Sequence, residues 1–504
     1  MSRLTQRTFV SAPAADPGLS VRCLVALALL SVGLLIWQLL DPRAFVFSGI
    51  QIDRLTAISA LFISVVGAVV LRFATRAMQG HPARDPFLQL LGIAISAAVL
   101  VAVASSLLLL ALGWILLGLA VTRLVGFEDG SLAVRRAALR HAWVARASDA
   151  ALMIALALMA WRSGSLDLST FLSMVPSMTR EQLAPIAILV SLAACARSVQ
   201  VPFHVWLPAT AEAPTPVSAL LHAGIVNAGG LLLIRTAALI VRVPEAWVAL
   251  AVVGSLSIAM GTLVVWHQSR VKHALAWSTV SQMGFMTAQC GLAAFPAALL
   301  HLMGHGSYKA LAFLRSGERP APQRPVPHPV LGLALLLLGS LAAWICMPLA
   351  TRWTGFDPAH SAGEMGLSVV IALGVGQLWS AVGASWSRVR ISILEALFGS
   401  MTALLVPLTC FAFYRACGWF LKPVLGELPS PTGPVAWVAA ATPVVVMFAL
   451  STLHACRSAL ETSTPWRWLR VQAASGFHGS AILDRLVESA RYAPAPDRSD
   501  IIHA

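Results

Sequence analysis

The sequence predicts an all-α polytopic membrane protein with about 14 transmembrane helices. Of its 504 residues, 58% are hydrophobic and 11% are charged, whereas soluble proteins have about 25% charged residues. Apolar runs of about 20 residues, the length that crosses a bilayer as a helix, recur along the chain. These runs cover residues 23–40, 55–70, 87–103, 107–126, 147–161, 183–200, 216–234, 246–266, 274–291, 297–314, 329–349, 366–383, 398–420 and 435–454.

The positive charges indicate how the chain is oriented in the membrane. With the N-terminus inside, the inner segments hold 23 of the 35 Lys and Arg residues, and the opposite loops hold eight. Because inner loops are enriched in Lys and Arg, both termini are predicted to be cytoplasmic. The same rule accounts for the net charge of +14 without a nucleic-acid partner. The expected location is a bacterial inner membrane, with lipid around the helices.

Three regions are expected along the chain. Residues 1–22 precede the first apolar run without a small-residue cleavage site, so that run is predicted to be a retained span rather than a signal peptide. Residues 23–454 are expected to form the transmembrane domain. Residues 455–504 are expected to form a cytoplasmic tail, in which the segment AILDRLVESARY is predicted to be a short amphipathic helix.

One predicted helix is interrupted. Residues 201–215, VPFHVWLPATAEAPT, contain three prolines and are followed by Pro216. Proline removes a backbone donor and breaks a helix, and irregular backbone at membrane depth must lie against protein or water. Transporters use interrupted helices to build ion sites. The interruption is therefore a candidate functional element.

Several chemistries find no support in the sequence. The seven cysteines occur singly, without a CxxC pair, which indicates neither a metal site nor a disulfide framework. No Gly-rich phosphate loop or dinucleotide fingerprint occurs. We therefore expect no bound cofactor and a role in ion transport rather than catalysis.

The strongest functional signal is the stretch HLMGHGSYKALAF, residues 301–313. His301, His305 and Lys309 are four residues apart and therefore lie on one face of a helix. Charged groups inside a bilayer are costly unless they are paired or hydrated, and imidazole titrates near neutral pH. A proton relay is the favoured interpretation, with a structural role second. A metal site would lack the Glu of HExxH, and haem ligation with His222 has no other support.

Other ionisable residues lie within or at the edges of apolar runs. Arg146 and Asp149 are three apart on one helix face, which favours an internal ion pair, with a functional role as the alternative. His222 follows the interrupted helix and is either a hydrogen-bonded core residue or part of a relay. The remaining members of this set are Arg123, Arg197, Lys272 and His273.

Three segments carry a resemblance to a known family. Residues 196–235, 271–286 and 299–317 are similar to the antiporter-like proton-channel subunits of respiratory complex I and of multi-subunit cation/proton antiporters. They include PFHVWLP, VKHALAWSTVSQMGFM and HLMGHGSYKALAFL, and the resemblance covers roughly residues 55–420. It implies two inverted five-helix repeats with broken helices, around a hydrated line of buried Lys, Glu and His.

The resemblance also implies roles for individual residues. The implied proton relay consists of Lys309, His305, His301, Lys272, His273 and His222. The implied fixed charges or ion pair are Arg197, Arg146 and Asp149.

Two positions depart from the family pattern. Ile115 stands where the family has a carboxylate, and Arg197 stands where it has a lysine in the broken helix. Because arginine does not release its proton in proteins, Arg197 is predicted to act as a fixed charge or to pair with Asp149 or Glu212. An unmodified complex I mechanism is therefore not expected.

Within this family the sequence looks most like the membrane subunits of Dab, a two-component bacterial pump for inorganic carbon. Its short polar tail differs from the long lateral helix of the distal complex I subunit. The resemblance implies a large soluble partner on the cytoplasmic face, similar to a zinc β-carbonic anhydrase, in which proton flow drives CO2 hydration. The alternatives are a proton-pumping subunit of a complex I-like NADH dehydrogenase, a cation/proton antiporter subunit, and a scaffold that anchors a peripheral enzyme.

Overall fold

The computed structural model describes residues 19–127, 132–316, 328–383 and 393–479, together with Arg485. Most of the predicted N-terminal segment lies outside these residues. The predicted amphipathic helix AILDRLVESARY also lies outside them, apart from Arg485.

The described chain is built almost entirely of helices joined by short connections. In chain order they are α1 (Leu19–Leu40), α2 (Arg54–Ala77), α3 (Arg84–Val103), α4 (Leu107–Val125), α5 (Leu132–Ser163), α6 (Leu168–Met174), α7 (Arg180–Arg197), α8 (Thr215–Leu220), α9 (Asn227–Arg235), α10 (Ala237–Ile240), α11 (Pro244–Val265), α12 (Val271–Gly291), α13 (Phe295–Ser316), α14 (Pro329–Thr354), α15 (Ala362–Gly383), α16 (Ile393–Leu425), α17 (Pro434–Ala455), α18 (Arg457–Leu460) and α19 (Thr464–Ala474). Short 3-10 turns cover Val175–Ser177, Phe203–Trp206, Pro208–Glu212, Pro358–His360 and Gly476–His478, and a π-helical turn covers Leu221–Ile225.

The predicted all-α polytopic fold is confirmed. Every predicted apolar run coincides with one of the helices, the run 216–234 being divided between α8 and α9. Within the described residues, 11 helices are long and apolar enough to cross a membrane. The helices α7, α12 and α13 have 18, 21 and 22 residues but are not in this set. The count of about 14 spans therefore stays a prediction.

A small hairpin is the only sheet in the described ranges. Strand β1 (Phe45–Phe47) pairs antiparallel with β2 (Ile50–Ile52). Gly49 in the turn has a φ of 78°, a conformation that glycine adopts without strain. Its carbonyl accepts hydrogen bonds from the backbone of Ser105 and Ser106, at 2.7 and 2.9 Å. The hairpin thus braces the connection between α3 and α4.

The predicted interruption lies between α7 and α9. After Arg197 the chain forms two 3-10 turns, the short helix α8 and the π-helical turn before α9 begins at Asn227. The Ser198 hydroxyl donates to the Val226 carbonyl at 2.8 Å, which joins the two sides of the interruption. The proline residues explain the short turns, because each lacks the donor that a continuous helix needs.

The interrupted segment lies at the centre of the packed helices. The apolar stretch within Thr215–Arg235 is fully buried inside the protein, whereas only 11% of the apolar stretch in α1 is buried. Glycine allows close contact at Gly229, where a methyl group would collide with the Ser198 hydroxyl and the backbone of α7. Gly254 of α11 and Gly284 of α12 face each other in the same way. Small residues let membrane helices approach closely, so irregular backbone at the centre is enclosed by protein.

Candidate functional site

Lys309 lies on the buried face of α13, with 1% of its surface exposed. Its ammonium group donates hydrogen bonds to the Leu275 carbonyl, at 2.7 Å, and to Ser278 Oγ, at 2.5 Å. Both acceptors are neutral groups on α12. Across the described ranges, no carboxylate forms an ion pair with Lys309. A protonated Lys309 is therefore stabilised by dipoles rather than by an opposite charge.

His222 belongs to the same hydrogen-bond network as Lys309. Its Nδ1 atom lies 3.0 Å from Thr279 Oγ1, and the Thr279 hydroxyl donates to the Leu275 carbonyl at 3.0 Å. Leu275 thus accepts from both Thr279 and Lys309. The His222 ring stacks on Phe313, with centroids 4.3 Å apart. The structure therefore joins a residue after the interruption to the helix that carries Lys309.

His301 and His305 occupy successive turns of α13, on the face that also carries Lys309. Their ring centroids are 6.0 Å apart, with the planes inclined by 22°. The Nε2 atom of each ring is buried, and among the described residues it has no hydrogen-bond partner. Buried polar atoms are nearly always satisfied by protein or water, so these two atoms require ordered water.

Asp149 is the centre of a second cluster, formed by α4, α5 and α7. Arg197 Nη2 lies 2.9 Å from Asp149 Oδ1, and Arg146 Nη2 lies 2.6 Å from Asp149 Oδ2. Arg197 also donates to the Trp114 carbonyl at 3.0 Å, and its guanidinium lies 4.6 Å from the centre of the Trp114 ring. The Arg197 and Asp149 side chains are 3% and 8% exposed, whereas Arg146 is 44% exposed.

The carboxylate that faces Arg197 therefore comes from α5 and not from α4. Ile115, at the family's carboxylate position, is partly buried on α4. Gly118, on the same helix, leaves room for the two guanidinium groups, because a methyl group there would lie 3.0 Å from Arg146 Nη2 and 3.1 Å from Arg197 Nη1. The other candidate partner, Glu212, has a side chain outside the described part of the molecule.

Lys272 and His273 lie in the first turn of α12, before the residues that bind Lys309. His273 borders a polar cavity of about 270 Å³ that is also lined by His204, Gln268 and Trp277. His273 thus borders this cavity, and Lys272 and His273 precede the α12 residues that bind Lys309.

Several residues in these arrangements were not predicted from the sequence. His141 is buried, with Nδ1 2.8 Å from Thr122 Oγ1, and its ring lies edge-on to Trp206 at 4.5 Å. Nothing in the sequence distinguishes Thr279 from other hydroxyl residues in helices. For His204 a signal did exist, because it lies between prolines in the interrupted segment.

A small cavity lies beside the π-helical turn. Its volume is about 20 Å³, and its polar lining comes from Ser59 and Asn227. The Asn227 amide donates to the Ala223 carbonyl at 2.7 Å, while its Oδ1 atom is buried without a partner among the described residues. A cavity of this size holds about one water molecule, which would satisfy Asn227 Oδ1.

The described residues were compared with the ligand groups that hold metal ions. Within the ranges that the structure describes, no group of three or more His, Cys, Asp or Glu could hold a metal ion. The His301–His305 pair accordingly has no third ligand there. The buried groups are instead joined by hydroxyls, carbonyls and small cavities.

Residues 104–323 match the family model described as NADH:quinone oxidoreductase/Mrp antiporter, transmembrane region. This segment is therefore similar to the membrane subunits that the family model describes. It includes both clusters, from Asp149 on α5 to Lys309 on α13. The predicted resemblance to this family is confirmed.

Curated relatives of the antiporter-like family match about half of the chain. The probable inorganic carbon transporter subunit DabB2 of Halothiobacillus neapolitanus is 38% identical over 271 residues, 53% of this chain and 49% of that protein. NADH-quinone oxidoreductase subunit L of Mycobacterium tuberculosis is 36% identical over 272 residues, 53% of this chain and 43% of that protein. The chain thus spans about half the length of the curated relatives it matches.

Two solved membrane complexes contain chains that share the fold. A chain of the Mrp complex from Dietzia sp. DQ12-45-1b aligns with a TM-score of 0.60 and 21% identity, over 97% of this chain and 60% of that chain. A chain of the archaeal membrane-bound sulfane sulfur reductase aligns with a TM-score of 0.56 and 14% identity, over 92% of both. The chain is therefore a multi-pass membrane protein with the antiporter-like fold.

Proposed function

We propose that this chain is the proton-conducting membrane subunit of an inorganic-carbon uptake complex. The observation that carries the proposal is the Lys309 ammonium group, buried among neutral acceptors and linked to His222 through Leu275 and Thr279. Ionisable groups inside a membrane protein mark ion pathways, and imidazole exchanges protons near neutral pH. This network therefore suits a proton relay better than it suits a structural contact.

The relay is proposed to include His301, His305, Lys309 and His222, with Lys272 and His273 nearer the inner surface. The Asp149 cluster acts as a set of fixed charges, because Arg197 keeps its proton and is held by a carboxylate. Its role is to set the electrostatic potential around the path. The relay is thus proposed to carry the protons, and the fixed charges to set the potential along their path.

The likeness to DabB2 supports inorganic carbon as the substrate of the whole complex. The proposed partner is a large soluble protein similar to a zinc β-carbonic anhydrase, which performs the CO2 hydration. One charge that moves down 100 mV releases about 2.3 kcal/mol, enough to bias a reversible hydration about fiftyfold. The inner loops and the tail 455–504 are the proposed docking surface, on the cytoplasmic face of a bacterial inner membrane.

A subunit of a complex I-like NADH dehydrogenase or of a cation/proton antiporter is the second candidate. The 36% identity to NADH-quinone oxidoreductase subunit L favours it specifically. Purification with intact partners separates the candidates. One large soluble zinc protein supports carbon uptake, flavin and iron–sulfur proteins support the dehydrogenase, and several small membrane proteins support the antiporter.

Lys309→Met tests the proton-conducting role. We expect proton uptake into vesicles that contain the purified complex to fall about 100-fold or more, because a proton-transferring side chain contributes about that factor. The matched control is Lys422→Met, since Lys422 is 67% exposed and pairs with Glu427. In cells, Lys309→Met should abolish growth rescue at low CO2 while the protein still inserts and binds its partner. Unchanged proton uptake in Lys309→Met would refute the role.

A further inference from the structure

A groove of about 640 Å³ lies between α1, α2, α3 and α4, with a lining that is mostly apolar. Helix α3 provides most of this lining, and none of it comes from the clusters around Lys309 and Asp149. Ile93 and Leu116, two of the lining residues, are 47% and 36% exposed. Exposed apolar side chains in membrane-spanning helices face lipid, so the groove opens on the lipid-facing surface of the helices.

The groove follows one face of α3. Leu88, Gly92, Ser96 and Leu100 line it at every fourth residue, a spacing that keeps side chains on one side of a helix. Gly92 gives the groove depth, because no atom lies within 4 Å of a methyl group placed there. From Leu88 to Leu100 the groove extends about 18 Å along the helix axis, whereas one leaflet of the hydrocarbon core is about 15 Å thick. Its length therefore suits an acyl chain of one leaflet.

Arg84 lies at the end of the groove that is predicted to be cytoplasmic. It begins α3, one turn before Leu88 and on the same face. Its Nε atom is buried and has no hydrogen-bond partner among the described residues. Its Nη1 atom lies 3.7 Å from the Asp85 carboxylate, but the two side chains are 39% and 79% exposed, and exposed pairs of this kind are weak. Arg84 therefore keeps a donor for a further anionic ligand, and a guanidinium group binds phosphate well.

The charge around this end of the groove favours an anion. The inner ends of α1, α2 and α3 carry Arg22, Arg76 and Arg84, and Asp85 is the one acidic residue in the segments 19–30 and 71–92. Basic pockets between membrane helices on the cytoplasmic side bind anionic lipid headgroups. A helix of a partner subunit could fill the apolar part of the groove, but its apolar face would supply no phosphate for Arg84. Both ends of the groove are therefore satisfied by one phospholipid.

We infer that this groove binds an anionic phospholipid of the inner leaflet, with one acyl chain along α3 and its phosphate at Arg84. The chain fills the space between α3 and the wall that α1 forms with Cys23 and Leu24. It also covers part of α1, whose apolar stretch is only 11% buried by protein. No group of the proposed relay takes part, so the inference does not depend on the proposed function.

Gly92→Trp tests the apolar part of the groove. Native mass spectrometry of the full-length chain in detergent micelles, titrated with phosphatidylglycerol or phosphatidylcholine, measures the affinity of the first bound lipid. In the parent, phosphatidylglycerol should bind about tenfold more tightly than phosphatidylcholine, because hydrogen bonds to charged groups are strong. Gly92→Trp occupies the path of the chain and should weaken phosphatidylglycerol binding at least about tenfold.

Gly33→Trp is the matched control, since Gly33 is an exposed glycine on α1 with open space around it and lies outside the groove. It should bind both lipids as the parent does. Parental binding of phosphatidylglycerol in Gly92→Trp, or equal losses in the two tryptophan variants, would overturn the inference.

Arg84→Gln tests the headgroup contact separately. The preference for phosphatidylglycerol should disappear, while the affinity for phosphatidylcholine stays at the parental value because the apolar groove is intact. Arg162→Gln, at an exposed arginine near the outer end of α5, is the control and should keep the preference. A preference that survives in Arg84→Gln would contradict the placement of the phosphate.

Alkylation of Cys23 in the purified complex separates a lipid from a partner helix. Cys23 is exposed and lines the groove, and Cys456, partly buried at the inner end of α17, is the internal reference. Relative to Cys456, Cys23 should react several-fold more slowly with N-ethylmaleimide in phosphatidylglycerol nanodiscs than in phosphatidylcholine nanodiscs. Equal rates in the two lipids would overturn the inference. Slow alkylation in the delipidated complex would overturn it as well, because a partner helix would then occupy the groove.

Discussion

Replacing Asp149 with Asn would leave the Arg197 guanidinium buried without a negative partner. Arg197 is 3% exposed, and breaking a buried ion pair typically costs about 3–5 kcal/mol. Asparagine can still accept one hydrogen bond from Arg197, and the contacts with Trp114 remain. We therefore expect the free energy of unfolding to fall by about 3 kcal/mol, at the lower end of that range.

A double-mutant cycle measures the coupling free energy between Asp149 and Arg197. Arg197→Met alone should cost less than Asp149→Asn, because Asp149 then keeps Arg146 at 2.6 Å. The double variant Asp149→Leu, Arg197→Met should lose at least about 2 kcal/mol less unfolding free energy than Asp149→Leu and Arg197→Met lose separately in sum. The reason is that an apolar pair avoids the desolvation of both charges. Equilibrium unfolding in mixed micelles, followed by circular dichroism, measures each term.

Arg146→Met is the control for this cycle. Arg146 is 44% exposed, so water can replace its partner, and the expected cost is below about 1 kcal/mol. Two results would refute the reasoning: a cost for Asp149→Asn that is no larger than that of Arg146→Met, or strict additivity in the double variant.

Two further predictions concern α12 and α13. Thr279→Val removes the hydroxyl between His222 and the Leu275 carbonyl. Proton uptake should therefore fall up to about tenfold, the factor that corresponds to the free energy of one hydrogen bond. Thr279→Ser keeps a hydroxyl and should keep the parental uptake, and equal uptake in both variants would contradict the link. Gly306→Ala places a methyl group 2.5 Å from the Ala223 carbonyl and from the Phe62 ring, so thermal unfolding should show a loss of about 1–3 kcal/mol. Gly304→Ala, with open space around it, should be neutral or stabilising, and similar behaviour of the two glycine variants would argue against this packing.

Much of the fold and part of the site could be predicted from local sequence. A run of apolar residues long enough to cross a bilayer forms a helix there, because each backbone group must be satisfied within the segment. The face that carries His301, His305 and Lys309 follows in the same way from helical periodicity. The close approach of Arg146 and Asp149 also follows from their spacing of three on α5.

The partners of these residues across helices could not be predicted. Arg197 had two candidate carboxylates in the sequence, and the packing of α7 against α5 brings Asp149 to it. The link between His222 and Lys309 depends on Thr279 and on the Leu275 carbonyl. Neither acceptor has a signature in the sequence, because hydroxyls and backbone carbonyls occur on every helix.

The sequence by itself determined the membrane environment, the position of the helices, the interruption after Arg197 and the stripe of ionisable residues on α13. These features depend on hydropathy, on proline and on spacing within one helix, all of which are local. Only the tertiary structure decided which groups share a hydrogen bond and which residues line a cavity, as His204 does. Those relations depend on how separate helices pack, and a pattern along one helix does not specify the distance to the next.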